Sequence, residues 1–257
     1  MSTHINVTLD DHVLTVTLAR VERKNAIDNA MYGAMADALA RAECDAAIRC
    51  VVFLAEGPDF TAGNDIGDFA AIAAGTFAGE WQVTRFLKAL ATASCPVLAA
   101  VQGHAIGIGT TMLFHCDLVV LADDAVLATP FANLAVVQEA ASSILVPARI
   151  GHARAYAMFA LGQTLAAPAA LALGIANQVV AAPVLHDTAL DLARQVARRP
   201  AGALRAMKKL MRETASMLAR IDDENAAFLA CLHSVEAHEA RAAFAAHRAP
   251  DFTHLAH

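Results

Sequence analysis

Two runs near the start of the chain alternate apolar and polar residues. Ile5-Asn6-Val7-Thr8-Leu9 and Val13-Leu14-Thr15-Val16-Thr17-Leu18 flank Asp10-Asp11. Alternation with a period of two places every second side chain on one face, so the pattern predicts a β-hairpin. After the polar, basic loop Arg20 to Asn25 the period changes. Met31, Met35, Ala38 and Leu39 share one helical face behind Asp28, whose carboxylate suits a helix N-cap. A helix to about Cys44 is predicted. Cys50 to Ala55 is an unbroken apolar run, read as a buried strand, and Glu56-Gly57-Pro58-Asp59 as a turn. Beyond Phe60-Thr61-Ala62-Gly63-Asn64-Asp65-Ile66, the segment to Gly79 has only weak periodicity and is expected to be mobile. A helix is predicted from about Glu80 to Ala93.

The centre of the chain is Val97 to Thr111. It reads as an apolar strand behind Pro96, a glycine-rich turn, and a helix start continued by the apolar run Met112-Leu113-Phe114. Gly103, Gly107 and Gly109 allow backbone angles closed to other residues and let a ligand approach. The first N–H groups of a helix lack internal partners and carry partial positive charge. Such a turn suits an anion, or an oxygen that becomes anionic during a reaction. Ala62-Gly63-Asn64-Asp65 is a second glycine-bearing turn behind a strand. Taken alone, each reads equally as an ordinary turn; together they could each give one N–H to a single oxygen.

Strands follow at Asp117 to Ala122, Ala125 to Ala128 and Gln178 to Val180. Helices are expected at Glu139 to Val146 and His152 to Leu161, with Pro147 and Gly151 as breakers. A short helix is expected within Gln163 to Leu173. From Pro183 to about His247 the pattern is helical.

Composition narrows the class. The chain has 257 residues, 57% of them hydrophobic, enough for a large core. A net charge of -6 speaks against a general nucleic-acid binder. Five scattered cysteines without Cys-x-x-Cys suggest a reduced, cytoplasmic protein. Met1-Ser2-Thr3-His4 does not open a signal peptide, the final His254-Leu255-Ala256-His257 is no peroxisomal address, and no run is long and apolar enough for a membrane span.

Other chemistries fit less well. Gly107-Ile108-Gly109 with Asp123 and Asp124 downstream lacks the third glycine of a dinucleotide fingerprint, Met112 standing there. His115-Cys116 has no visible orienting group and reads as structural. The eleven histidines show no metal-ligand spacing, and Ser142-Ser143 lacks the Gly-x-Ser-x-Gly of a hydrolase.

Phe60 to Ile66 together with Gly103-His104-Ala105-Ile106-Gly107-Ile108-Gly109 resembles the crotonase superfamily, the enoyl-CoA hydratases and isomerases. The resemblance runs from Arg23-Lys24-Asn25-Ala26 to the helical tail. It implies an α/β fold: a spiral of β-β-α units over residues 1–195 and a helical C-terminal region, 196–257, that makes a homotrimer or dimer of trimers. It also implies an acyl-CoA thioester oxygen held by the backbone N–H groups of Asn64 and Ile108, with no part for either side chain. Coenzyme A would enter as part of the substrate, with no separate cofactor, metal, nucleic acid or membrane partner. Arg23, Lys24, Ala26, Ala62, Asp65, Ile66 and Lys208 match positions around the bound coenzyme, the cations near its phosphates.

The hydratases of the superfamily carry two catalytic glutamates, and this chain has Thr111 and Phe131 at the matching places. What remains, Thr129-Pro130-Phe131-Ala132-Asn133-Leu134 and Glu139-Ala140-Ala141-Ser142-Ser143, resembles the peroxisomal-type Δ3,Δ2-enoyl-CoA isomerases. Their single acid/base glutamate matches Glu139. Ala140 and Ala141 depart from that group, which often has glycine there, leaving the pocket shape open. From residue type alone, Glu139 equally suits a favourable charge at a helix start. The implied reaction moves an enoyl-CoA double bond from position 3 to position 2. The alternatives are hydration, thioester hydrolysis, or acyl-CoA binding without turnover. Phe69 to Gly79 is expected to form part of the pocket wall.

Overall fold

The computed structural model describes residues 2–73, 75–77, 79–246 and 248–255. The hairpin forms as the alternation predicts: β1 (Ile5–Asp10) and β2 (Val13–Leu18) pair antiparallel. β1 is the sheet edge, and only Ile5 of its six residues is buried. α1 (Asn29–Cys44) is capped by Asp28, whose carboxylate accepts from the Met31 N–H at 2.8 Å. Met31, Tyr32, Met35, Ala38 and Leu39 line its buried face. In β3 (Cys50–Ala55) all six residues are buried, as an unbroken apolar run requires of a strand covered on both sides.

α2 (Ile66–Ala73) is a helix where no regular element was expected. The Asp65 carboxylate explains its start, because Oδ1 accepts the Gly67 N–H at 2.8 Å. The wall expected from Phe69 to Gly79 falls in part on Ala74 and Ala78, outside the described residues. α3 (Gln82–Thr92) packs on α1, with the Tyr32 and Phe86 rings 5.6 Å apart.

β4 (Val97–Val101) leads into the glycine stretch, and here the structure adds a strand. β5 (His104–Ile106) sits between Gly103 and Gly107. α4 (Ile108–Thr111) is a single turn, continued as a 3-10 turn over Met112–His115. β6 (Leu118–Ala122) and β7 (Val126–Ala128) follow. α5 (Ser142–Ile150) begins three residues later than expected and contains Pro147; the break before α6 (His152–Leu161) is at Gly151 alone. β8 (Leu165–Ala166), α7 (Ala167–Ala172) and β9 (Gln178–Val180) complete the mixed part.

The last part is helical: α8 (Leu185–Ala197), α9 (Ala201–Leu210), α10 (Thr214–Leu232) and α11 (Val235–Ala245). His247, where the helical pattern was expected to end, lies outside the described residues, as do Ala256 and His257. No described helix is long and apolar enough to cross a membrane.

Two sheets result. The larger has the order β1-β2-β3-β4-β6-β9, parallel after the hairpin; the smaller has the order β5-β7-β8. Successive strands β4 and β5, then β6 and β7, supply one strand to each sheet before the chain turns into a helix. This is the β-β-α spiral. α1 and α3 cover one face of the large sheet and α8 the other, through Leu185, Ala189, Ala193 and Ala197 against Val52, Leu98 and Val120. The geometry places the chain ends of β3 and β4, and the turns after them, on one rim.

Candidate active site

On that rim the two glycine turns are laced together. The Thr61 N–H donates to the His104 carbonyl at 3.0 Å, and the Ile106 N–H donates to the Thr61 carbonyl at 3.0 Å. Gly63 has φ +90°, and a Cβ there would stand 3.0 Å from the Ile106 carbonyl oxygen. Only glycine fits both the angle and the approach. Gly107 has φ +55° and ψ -115°, a combination that disfavours any side chain, and it directly precedes α4.

The Ile108 N–H opens α4 and so has no acceptor within the helix. The Asn64 N–H is likewise outside the ladder: at the bridge between Ile27 and Asn64, the bonds are Ile27 N–H to Gly63 O and Asp65 N–H to Ile27 O. Among the described residues neither donor has a backbone acceptor. Asn64 and Gly107, the residue before Ile108, both line one cavity of about 80 Å³, together with Ala62, Gly63, Ile66, Ile106, Pro130, Phe131, Leu134, Val136, Glu139 and Phe228. Two backbone amides without acceptors, one lining this cavity and one next to its lining residue Gly107, are the donor type that an oxyanion site requires.

Glu139 is the carboxylate in this lining. It is not on the helix start. α5 begins at Ser142, and Ala140 and Ala141, both with positive φ, separate the acid from it. These are the positions where the isomerases that the sequence resembles often have glycine, and here two alanines take left-handed angles. His115, fully buried, ties this bend down: its Nε2 lies 2.7 Å from the Ala140 carbonyl oxygen. Burial pushes the His115 imidazole down to about 4, so it is neutral and donates from that nitrogen. The helix-start acid is a different residue. Glu224, reaching across from α10, accepts the Ser143 N–H at 2.9 Å. With that role taken, Glu139 has an oxygen, Oε1, that is buried without a partner.

Its proton affinity follows from the surroundings. Burial pushes the Glu139 carboxyl up from 4.5 to about 7; a hydrogen bond from the Asn64 side chain pulls the other way, and the nearby Glu224 adds to the rise. A carboxyl near neutrality can take a proton and return it. The Asn64 side chain therefore has a part that the sequence reading had denied it. Its Oδ1 also accepts from the Tyr32 hydroxyl. Tyr32, Glu224, Phe228 and His115 were missed as site residues because they come from three distant segments; the signal available was Tyr32 on the buried face of α1.

The remaining expected residues divide. Ala62 and Ile66 line the cavity, Ile66 being 44% exposed. Arg23 and Lys24 are exposed on the adjoining loop, which is held against the site by the Ala62 N–H donating to the Lys24 carbonyl at 2.9 Å. The Ala26 carbonyl accepts from Arg20 at 3.0 Å. Asp65 is engaged structurally: its Oδ2 is 2.7 Å from Arg20 Nη1, in addition to capping α2. Lys208 is a correction. It is 7% exposed, and its ammonium donates to the Cys95 carbonyl at 2.7 Å and Asp117 Oδ2 at 2.6 Å. Those partners precede β4 and β6, at the end of the sheet opposite the glycine turns. A buried ammonium held there by a carboxylate and a carbonyl does not reach a coenzyme phosphate at the cavity.

Thr111 and Phe131, at the places of the hydratase acids, are both buried, and Phe131 lines the cavity. No group of three or more potential metal ligands occurs among the described residues.

The enoyl-CoA hydratase/isomerase family model matches residues 8–255. A 1,2-epoxyphenylacetyl-CoA isomerase of Escherichia coli is 33% identical, covering 94% of this chain and 95% of that protein. A carnitinyl-CoA dehydratase of Proteus mirabilis is 30% identical, covering 98% and 99%. The crystal structure of an enoyl-CoA hydratase/isomerase from Pseudoalteromonas atlantica superposes with a TM-score of 0.93 at 39% identity, covering 98% of this chain and 100% of that one. The paired glycine turns, the spiral that joins them and these matches along nearly the whole chain together make it a member of the enoyl-CoA hydratase/isomerase family, with the crotonase fold.

Proposed function

We propose that the protein is an enoyl-CoA isomerase that moves a double bond from position 3 to position 2. The observation that carries this reading is Glu139, a buried carboxyl near neutral proton affinity with an unpartnered oxygen, lining the same cavity as Asn64 and Gly107 of the two glycine turns. Glu139 takes a proton from C2, which lies between the thioester and the double bond. The C–H electron pair forms a dienolate, with its charge gathered on the thioester oxygen. The Asn64 and Ile108 amides stabilise that oxygen most strongly as the charge develops. Glu139 then returns its proton at C4, leaving the double bond between C2 and C3.

Hydration needs a positioned water as well as a base. Thr111 and Phe131 supply no second carboxylate, which supports isomerisation over hydration. The relative named as an epoxyphenylacetyl-CoA isomerase and the relative named as a dehydratase show how widely the family's reactions vary. Arg23 and Lys24, exposed on the loop tied to Ala62, are the cations assigned to the coenzyme phosphates in this reading, as point charges. A homotrimer or dimer of trimers completes the proposal: Met207, Leu210 and Met211 are 56%, 88% and 84% exposed and form an apolar surface for it, which light scattering tests.

The deciding experiment gives the purified protein a 3-enoyl-CoA and a 2-enoyl-CoA separately. Isomerisation of the first with slow hydration of the second is expected. Rapid hydration would replace the reading with a hydratase, and thioester cleavage with a hydrolase. Tight binding without turnover would leave an acyl-CoA binding protein.

A further inference from the structure

Isomerisation uses Glu139 and gives no part in the reaction to two other buried polar residues, Tyr32 and Glu224. Tyr32 on α1 is 2% exposed, and its hydroxyl is hydrogen-bonded to Asn64 Oδ1. Asn64 and Glu139 line the same small cavity, and the Asn64 side chain acts to lower the proton affinity of the acid. A primary amide has an accepting end and a donating end. Burial holds the Tyr32 phenol neutral, its proton affinity well above the ordinary 10, so the phenol donates to Oδ1. That turns Nδ2 toward Glu139, and an N–H facing a carboxyl favours its ionised form.

Glu224 stands on the other side, on α10. Its Oε1 accepts from the Ser143 N–H while Oε2 is buried without a partner. A second carboxyl so close opposes ionisation of the first. The charged groups around this set are few. Asp68 on α2 faces Tyr32, Arg220 faces Glu224 along α10, and His115 beneath Ala140 is neutral.

We propose that Tyr32 is a positioning residue: its hydroxyl holds the Asn64 amide with nitrogen toward Glu139 so that the base is ionised when substrate arrives, while Glu224 opposes it from the C-terminal helices. The proton affinity of the base is thus set by two arms of opposite sign, one from each end of the chain. This rests on Glu139 being the base, and the test separates the two claims.

Glu139 is titrated directly, by the infrared band of the protonated acid that Glu139→Gln removes, and by the acid limb of kcat/KM. Tyr32→Phe keeps the ring packed on Phe86 and removes only the hydroxyl. It should move the Glu139 titration upward by roughly half to one pH unit, the size of one net hydrogen bond. Glu224→Gln should move it downward. In an Asn64→Ala background, Tyr32→Phe should add nothing, because its influence passes through the amide. An unmoved infrared titration in Tyr32→Phe, or the same shift in the Asn64→Ala background, overturns the proposal. So does a shift of equal sign in Tyr32→Phe and Glu224→Gln, which general loosening would produce. If the infrared titration moves as expected and the kinetic limb does not follow, the coupling stands and Glu139 falls as the base.

Discussion

β4 has a buried ionisable group at each end, and the two are treated in opposite ways. Before the strand, Lys208 donates to the Cys95 carbonyl and to Asp117, and Arg212 adds bonds to Asp117 at 3.1 Å and to the His115 carbonyl. Beyond the strand, Glu139 keeps a buried oxygen with no partner, beside a cavity. Burying a charge costs several kcal/mol unless it is paired and hydrogen-bonded. Lys208 is paired and hydrogen-bonded and so holds helix α9 to the sheet, although burial still lowers its proton affinity against the pull of Asp117. Glu139 does not meet that demand, and the result is a carboxyl whose proton is held up to about 7. A paired charge is inert; an under-paired one is available for chemistry.

The sharpest way to break this contrast is Glu139→Gln. The amide matches the acid in shape and accepts no proton, so turnover should fall by ~10²–10⁴-fold while acyl-CoA affinity changes little. Initial rates and equilibrium binding on the same preparation check it. The variant should also be more stable. A folded carboxyl that keeps its proton to about 7, against 4.5 unfolded, binds the extra proton between those values. Its contribution to stability is whole below about pH 4.5 and lost as pH rises toward about 7. At pH 8 the parent carries the full penalty, and Glu139→Gln should raise the unfolding free energy by about 3 kcal/mol, vanishing near pH 4. Denaturant unfolding at both pH values measures it. Equal stability at pH 8 would show that Glu139 is better solvated than the structure indicates.

Lys208→Met should show the converse. It leaves Asp117 with Arg212 as its remaining cation and the Cys95 carbonyl without its donor, so stability should drop by about 2 kcal/mol. KM for an enoyl-CoA should stay near the parent value. A large rise in KM with normal stability would restore Lys208 as a coenzyme contact. The smallest effect is expected at the exposed loop. Arg23→Ala with Lys24→Ala should raise KM by about two- to fivefold, an effect that added salt abolishes. KM measured at low and high ionic strength tests this.

Much of the architecture was legible because it depends on local pattern. Alternation defined the hairpin, Asp28 and the four apolar positions behind it defined α1, and unbroken apolar runs defined β3 and β4. Glycine at 63 and 107 marked the two turns, since the backbone there needs angles that only glycine takes easily. Glu139 was also legible, though not its setting. The start of α5 was misplaced because Ala140 and Ala141 are good helix formers by propensity, and only tertiary contacts, His115 among them, force both into left-handed angles. α2 was missed because its start depends on a single side-chain cap from Asp65.

Lys208 is assigned to a phosphate by the family position it matches, and the sequence shows its charge but not its pairing. Which end of β4 a cation faces is decided by how α9 returns over the sheet. The two free amides, the partnerless oxygen of Glu139, and the arms from Tyr32 and Glu224 arise the same way. They join segments 32, 64, 108, 139 and 224, separated by tens of residues, and no periodicity links them. Local propensity sets elements through neighbours within a few residues, so the sequence alone could determine strands, caps and turns. Burial and proton affinity depend on everything packed around a group, and for Glu139 those were settled only when the spiral closed.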